Sequence, residues 1–147
     1  MDATDPHLLG PGLLPTPFTA AEIRDATGTG KLIRLQLDGP DGSLGEHVNR
    51  FRETDAEGAT LDRWAAADPK AVVSNRVTWL ELQGHAAFDA ATTSVSTVSL
   101  SSPLGELTCR KYDTGDGVFW FSIAHPGMPV LHESEGLRTT VLSIEHD

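Results

Sequence analysis

Cysteine is nearly absent: the 147 residues hold one, Cys109. A lone cysteine closes no intrachain disulfide, so no oxidising compartment is implied. Long apolar runs are missing too, with nothing near the ~18 consecutive residues of a membrane-spanning helix. Met1–Pro6 is acidic and lacks the basic and apolar regions of a secretory signal, and Leu8–Leu14 is short and broken by Gly10, Pro11 and Gly12. The cytoplasm is the address this predicts. Positive charge is scarce: 11 Lys and Arg face 21 Asp and Glu, a net charge of −10. A nucleic-acid binder needs a basic face to release counterions. Here Arg50-Phe51-Arg52 runs into Glu53 and Asp55, and Arg110-Lys111 is bounded by Glu106 and Asp113. Nucleic acid and membrane are therefore poor partners.

Several catalytic and cofactor motifs are also missing. Gly28-Thr29-Gly30-Lys31 hints at a phosphate loop, but the order is helix, glycines, strand, the reverse of what points a helix N-terminus at a phosphate. Leu32 follows the lysine where Ser or Thr is needed, and a dinucleotide fingerprint fails on the same order. The six histidines (His7, His47, His85, His125, His132 and His146) form no metal-ligand spacing, and neither Asp38/Asp41 nor Asp113/Asp116 has calcium-loop spacing. No Gly-x-Ser-x-Gly elbow occurs. The sequence predicts no cofactor, no metal and no catalytic residue. Cys109, mid-strand between Leu107 and Lys111, reads as a buried small hydrophobe.

What is present fits one globular domain: 39% hydrophobic and 22% charged residues. Residues 1–17 hold four of the nine prolines and read as an extended arm that packs Leu13, Leu14 and Phe18 onto a single α+β domain over 18–147. Thr19-Ala20-Ala21-Glu22 and Thr78-Trp79-Leu80-Glu81 are capping boxes opening two short helices, the second over 79–87. Ile33, Leu35 and Leu37 alternate with polar residues in a half-buried strand. Residues 46–54 and 59–66 flank Asp55–Gly58 as a hairpin. Segments 94–101, 106–113, 118–124, 130–135 and 138–145 are joined by short loops, which connect antiparallel neighbours. The fold class is α+β, with a curved, mainly antiparallel sheet of seven or eight strands and two short helices. Phe119, Phe121 and Ile123 mark one face of the 118–124 strand, and Val118 and Trp120 the other. The helix bearing Trp79 is the expected cover for Trp120.

Pro103-Leu104-Gly105 followed by Cys109 and Tyr112, then Phe119-Trp120-Phe121, then Pro126-Gly127-Met128-Pro129-Val130, resembles a pattern in bacterial proteins of unknown function. Those proteins are similar in architecture to the LolA/LppX-like lipoprotein carriers. The resemblance covers about residues 94–145. It implies an open half-barrel with helices in or across its mouth, the 79–87 helix serving as a plug. The carriers are exported, and many relatives bear a lipid-attachment cysteine near the N-terminus; this chain shows neither feature. No catalytic residue carries over.

Three functional readings follow. The first is a non-enzymatic binding module holding an apolar or amphipathic small molecule, or a protein partner, on the concave sheet face. Its lining candidates are Trp64, Trp79, Trp120, Phe121 and His132, because large pockets are walled by such residues. The second is a small hydrolase or isomerase assembled by the fold from His132, His85 and Glu133. The third is a self-associating subunit, a homodimer pairing edge strands across a two-fold.

Overall fold

The computed structural model describes residues 5–146. Of the arm predicted over 1–17, Met1–Thr4 lie outside the described residues, as does Asp147 at the end of the 18–147 domain. The elements run α1 (Ala20–Asp25), β1 (Leu32–Gly39), β2 (Gly42–Thr54), β3 (Gly58–Ala65), β4 (Val73–Thr78), α2 (Trp79–Gly84), β5 (Ser94–Ser102), β6 (Gly105–Asp113), β7 (Gly117–Ser122), β8 (Leu131–Ser134) and β9 (Leu137–Glu145). Among the described residues, nine strands join one antiparallel sheet in the order β4-β3-β2-β1-β9-β8-β7-β6-β5. It is two meanders, β1–β4 and β5–β9, sealed where the first strand pairs with the last. Leu35 meets Val141 at that seam, and both are buried.

The count of nine corrects the expected seven or eight. The extra strand is β4, whose sequence Val-Ser-Asn-Arg-Val-Thr is mostly exposed. An edge strand needs no continuous apolar face, so its pattern carries little strand signal. The five-strand C-terminal meander is present in full, with two-residue connections at Pro103-Leu104 and Glu135-Gly136. Glu135 (φ 53°) and Gly136 (φ 79°) both take left-handed conformations, as a primed hairpin turn matched to strand twist requires.

Both capping boxes close as read. Thr19 accepts from the Glu22 amide and Thr78 from the Glu81 amide, and each glutamate accepts in return from the amide of its capping threonine. α2 ends at Gly84 rather than at 87, where glycine disfavours propagation and the chain turns through Ala86 N–H to Gln83 O.

Gln83 ties the pieces above the sheet together. Its side chain is buried; Oε1 accepts from the Ala20 amide at 2.9 Å, and Nε2 donates to Pro6 O at 2.7 Å and to Thr16 Oγ1 at 3.0 Å. One amide thus joins both helices and the arm. The arm is further held by Leu14 N–H to Phe88 O and by Tyr112 OH donating to Pro15 O at 3.0 Å. Phe18 is buried and Leu14 packs against the core. No helix among the described residues is long and apolar enough to cross a membrane.

Candidate functional site

Strand alternation decides which side chains share the inner face. In an antiparallel pair, residues directly opposite point the same way. Ile33 is opposite Asn49, and Asn49 opposite Arg63; Phe51 is opposite Leu61, and Leu61 opposite Asn75. On the other side of the seam, Phe119 is opposite both His132 and Tyr112. These rows, Tyr112 excepted, form the floor of a cavity of about 610 Å³, roofed by Ile23 of α1 with Thr27 just beyond it and by Leu82 of α2 with His85 and Ala86 just beyond it. The bend Gly127-Met128-Pro129 closes one side.

The roof is positioned by the β2–β3 turn. Asp55 Oδ1 accepts from the Glu57 and Gly58 amides, fixing the turn. Arg76, on the strand leading into α2, donates to both Asp55 carboxylate oxygens at 2.6 Å. Trp79 Nε1 donates to Asp55 O at 2.8 Å. Gly58 permits the approach: a Cβ there would stand 2.0 Å from Val77 O. These bonds hold the Asp55 carboxyl below the usual carboxylate range, the Arg76 hydrogen bond first among the causes.

The inner wall is mostly apolar, with buried Ile23, Ile33, Phe51, Leu61, Ala86 and Phe121. One buried cation sits among them. Lys31 is 4% exposed, and it lines both this cavity and a smaller neighbouring cleft with Asp25 and His125. Burial alone pushes its amine below the ordinary lysine value. His132 is also lowered by burial, and its ring stacks on Phe119 at 4.6 Å between centroids, which favours neutral imidazole. Arg63, Asn75, Arg76, Glu81 and His85 are exposed and line the mouth.

Of the five residues proposed from sequence to line a pocket, Phe121 and His132 meet in this cavity. Trp64 lies instead at a shallower cleft of about 500 Å³ with Leu35, Leu37 and His47, with the Arg50 guanidinium 5.5 Å from its ring. Trp79 is buried as the anchor of α2. Trp120 occupies the opposite face from Phe119 and Phe121, half-buried, with the Lys111 ammonium 5.6 Å from its ring. α2 therefore covers the Phe119/Phe121 face and not Trp120, because successive strand residues point to opposite faces. His85 and His132 both reach the cavity, whereas Glu133, next to His132, pairs outward with Arg138 at 2.6 Å. Cys109 is fully buried and burial raises its thiol pKa, so it is not a poised nucleophile. Among the described residues, no group of three or more His, Cys, Asp or Glu is gathered to hold a metal.

Sequence reading missed Lys31, Asn49, Arg63 and Asn75. A signal for Lys31 existed: it lies two residues before Ile33 and so continues the inward row Ile33, Leu35, Leu37. Its place after two glycines drew attention to phosphate chemistry instead. No protein-family model, no curated protein and no solved structure matches the chain.

Proposed function

We propose that the protein is a non-enzymatic binding module that holds an apolar or amphipathic small molecule between its concave sheet face and its two helices. The observation that carries this reading is the cavity of about 610 Å³, walled by Ile33, Phe51, Leu61 and Phe121. Its volume lies within the ~300–1,000 Å³ of typical ligand pockets, and its make-up, apolar with a few polar groups, is the usual one. An open half-barrel of the lipoprotein-carrier type, with α2 across its mouth, is the architecture that best accommodates this use. The histidine–carboxylate alternative has less support, because Glu133 turns away from His132 and is engaged by Arg138.

Native mass spectrometry of freshly purified protein, paired with titration of an environment-sensitive apolar dye, tests the reading. A bound mass of a few hundred daltons or saturable dye fluorescence at one site is expected. Leu61→Trp, which adds bulk to the cavity wall, should weaken dye binding while leaving the circular dichroism spectrum intact. Absence of saturable dye binding by the wild-type protein would overturn it.

A further inference from the structure

A protein with ten more negative than positive charges ought to repel anions, yet its cavity is lined with the opposite sign. Three cationic side chains, Lys31, Arg63 and Arg76, face it against one carboxylate, Glu81. Two of these four are already engaged. Arg76 is held by Asp55, and Glu81 accepts from the Thr78 amide at 2.8 Å to cap α2. Arg63 lies at the exposed mouth beside Asn75, where water screens it.

Lys31 differs from all three. It is more than nine-tenths buried, and among the described residues its ammonium has neither a hydrogen bond nor an ion pair. Nζ stands 3.9 Å from where a Cβ on Gly127 would be, beside the bend that closes the cavity. Its ammonium is not fully enclosed, yet a cation without a partner in mostly apolar surroundings is held at a cost. Its backbone leaves little freedom to turn away: Lys31 O accepts from the Phe51 amide, and Gly30 N–H donates to Phe51 O, which fixes the entry to β1. The side chain is thus committed to the inner face by the same alternation that buries Ile33. The apolar surface of Ile33, Phe51 and Leu61 runs from it toward the mouth.

Resting on the ligand-binding reading above, we infer that the ligand is a long-chain carboxylate, its head group inserted to meet Lys31 and its tail lying along Ile33, Phe51 and Leu61 toward the mouth. The carboxylate gives the amine the counter-charge that the fold withholds, and in a desolvated site such a pair is stronger than at the surface. A neutral chain of equal length would gain the apolar burial but not the pairing.

Binding of oleate and of oleyl alcohol to the full-length wild-type chain, to Lys31→Met and to Arg63→Gln tests this by competition against the apolar dye. Lys31→Met is expected to fold, since it replaces a buried unpaired amine with an apolar side chain of similar length, and melting confirms it. The wild type should prefer oleate over oleyl alcohol at least tenfold. Lys31→Met should lose that preference, mainly through weaker oleate binding, and Arg63→Gln should retain most of it. Equal wild-type affinity for acid and alcohol would overturn the inference while leaving the ligand-binding reading intact. So would loss of the preference in Arg63→Gln but not in Lys31→Met, which would put the head group at the mouth. Failure of the dye, the acid and the alcohol alike to bind would remove the ligand-binding reading itself.

Discussion

The two meanders that share this sheet are stabilised differently. The wall β5–β9 is held by aromatic packing: the Phe88 ring lies 5.0 Å from both Tyr112 and Phe119, and Tyr112 meets Phe121 edge-on at 5.6 Å. The wall β1–β4 has fewer aromatics and uses charge. On its outer face Asp62 is 2% exposed, accepting from Ser74 Oγ at 2.6 Å, Arg52 Nε at 2.9 Å and an Arg50 Nη at 3.1 Å. Arg50 and Arg52, two residues apart on β2, both reach this carboxylate beside a β-bulge between Phe51 and Glu53. The rings of Phe88, Tyr112, Phe119 and Phe121 carry no group that titrates in acid, whereas the carboxylate network does, as does the His132 ring stacked on Phe119. One topology can therefore be secured by two interactions with different sensitivities, and variants on each wall should separate them.

The largest effect is expected at Phe121. It is 3% exposed and touches both the aromatic cluster and the cavity, so Phe121→Ala should cost roughly 3–5 kcal/mol in denaturant unfolding. That loss should be the same at pH 5 and pH 8. Gly58→Ala comes next. The added methyl collides with the Val77 carbonyl, backbone that cannot rotate aside, and about 2–3 kcal/mol of overpacking strain is expected. Because the same turn anchors α2, proteolysis should begin near residues 78–90 in this variant, and unchanged cleavage would refute the anchoring role.

Asp62→Asn should cost about 1–2 kcal/mol at pH 7, the lower end of charged hydrogen bonds because both guanidinium partners are half-exposed. The carboxyl is held below its ordinary value, chiefly by the Ser74 hydrogen bond with both arginines contributing, against the opposing effect of burial. A depressed folded pKa stabilises fully above the unfolded value of ~3.9 and is lost as pH falls through the folded value. The wild-type advantage over Asp62→Asn should therefore be constant from pH 8 to about pH 5 and disappear in stronger acid. An advantage that grows on acidification would contradict this sign. An effect of similar size is expected at Trp120, half-buried on the face of β7 opposite Phe121 and packed against the core. Trp120→Ala should lower stability by about 1–2 kcal/mol and leave dye binding in the cavity unchanged. Loss of dye binding there would place the ligand on the other face of β7.

Much of the secondary structure was legible because its causes are local. The capping boxes at Thr19 and Thr78 need only four consecutive residues, and the turns at Pro103-Leu104 and Glu135-Gly136 need two. Alternation at Ile33, Leu35 and Leu37 likewise declared a strand and its inner face. β4 was not legible: an edge strand is made by its neighbour, and Val73–Thr78 is a strand because β3 offers it hydrogen bonds.

For the candidate site the division is sharper. Sequence alone determined the sign of the surface charge, the two helix starts and the antiparallel run of the C-terminal strands, since composition, capping and loop length act without distant partners. Only the tertiary structure decided that β1 pairs with β9, and with that seam which residues face one another across the cavity. Phe121 and His132 meet Ile33 and Phe51 there because two meanders close on each other, a contact no local pattern encodes. The placement of Lys31 is of the same kind: the alternation turns it inward, but only tertiary packing, the Gly127 bend included, lowers its exposure to 4%.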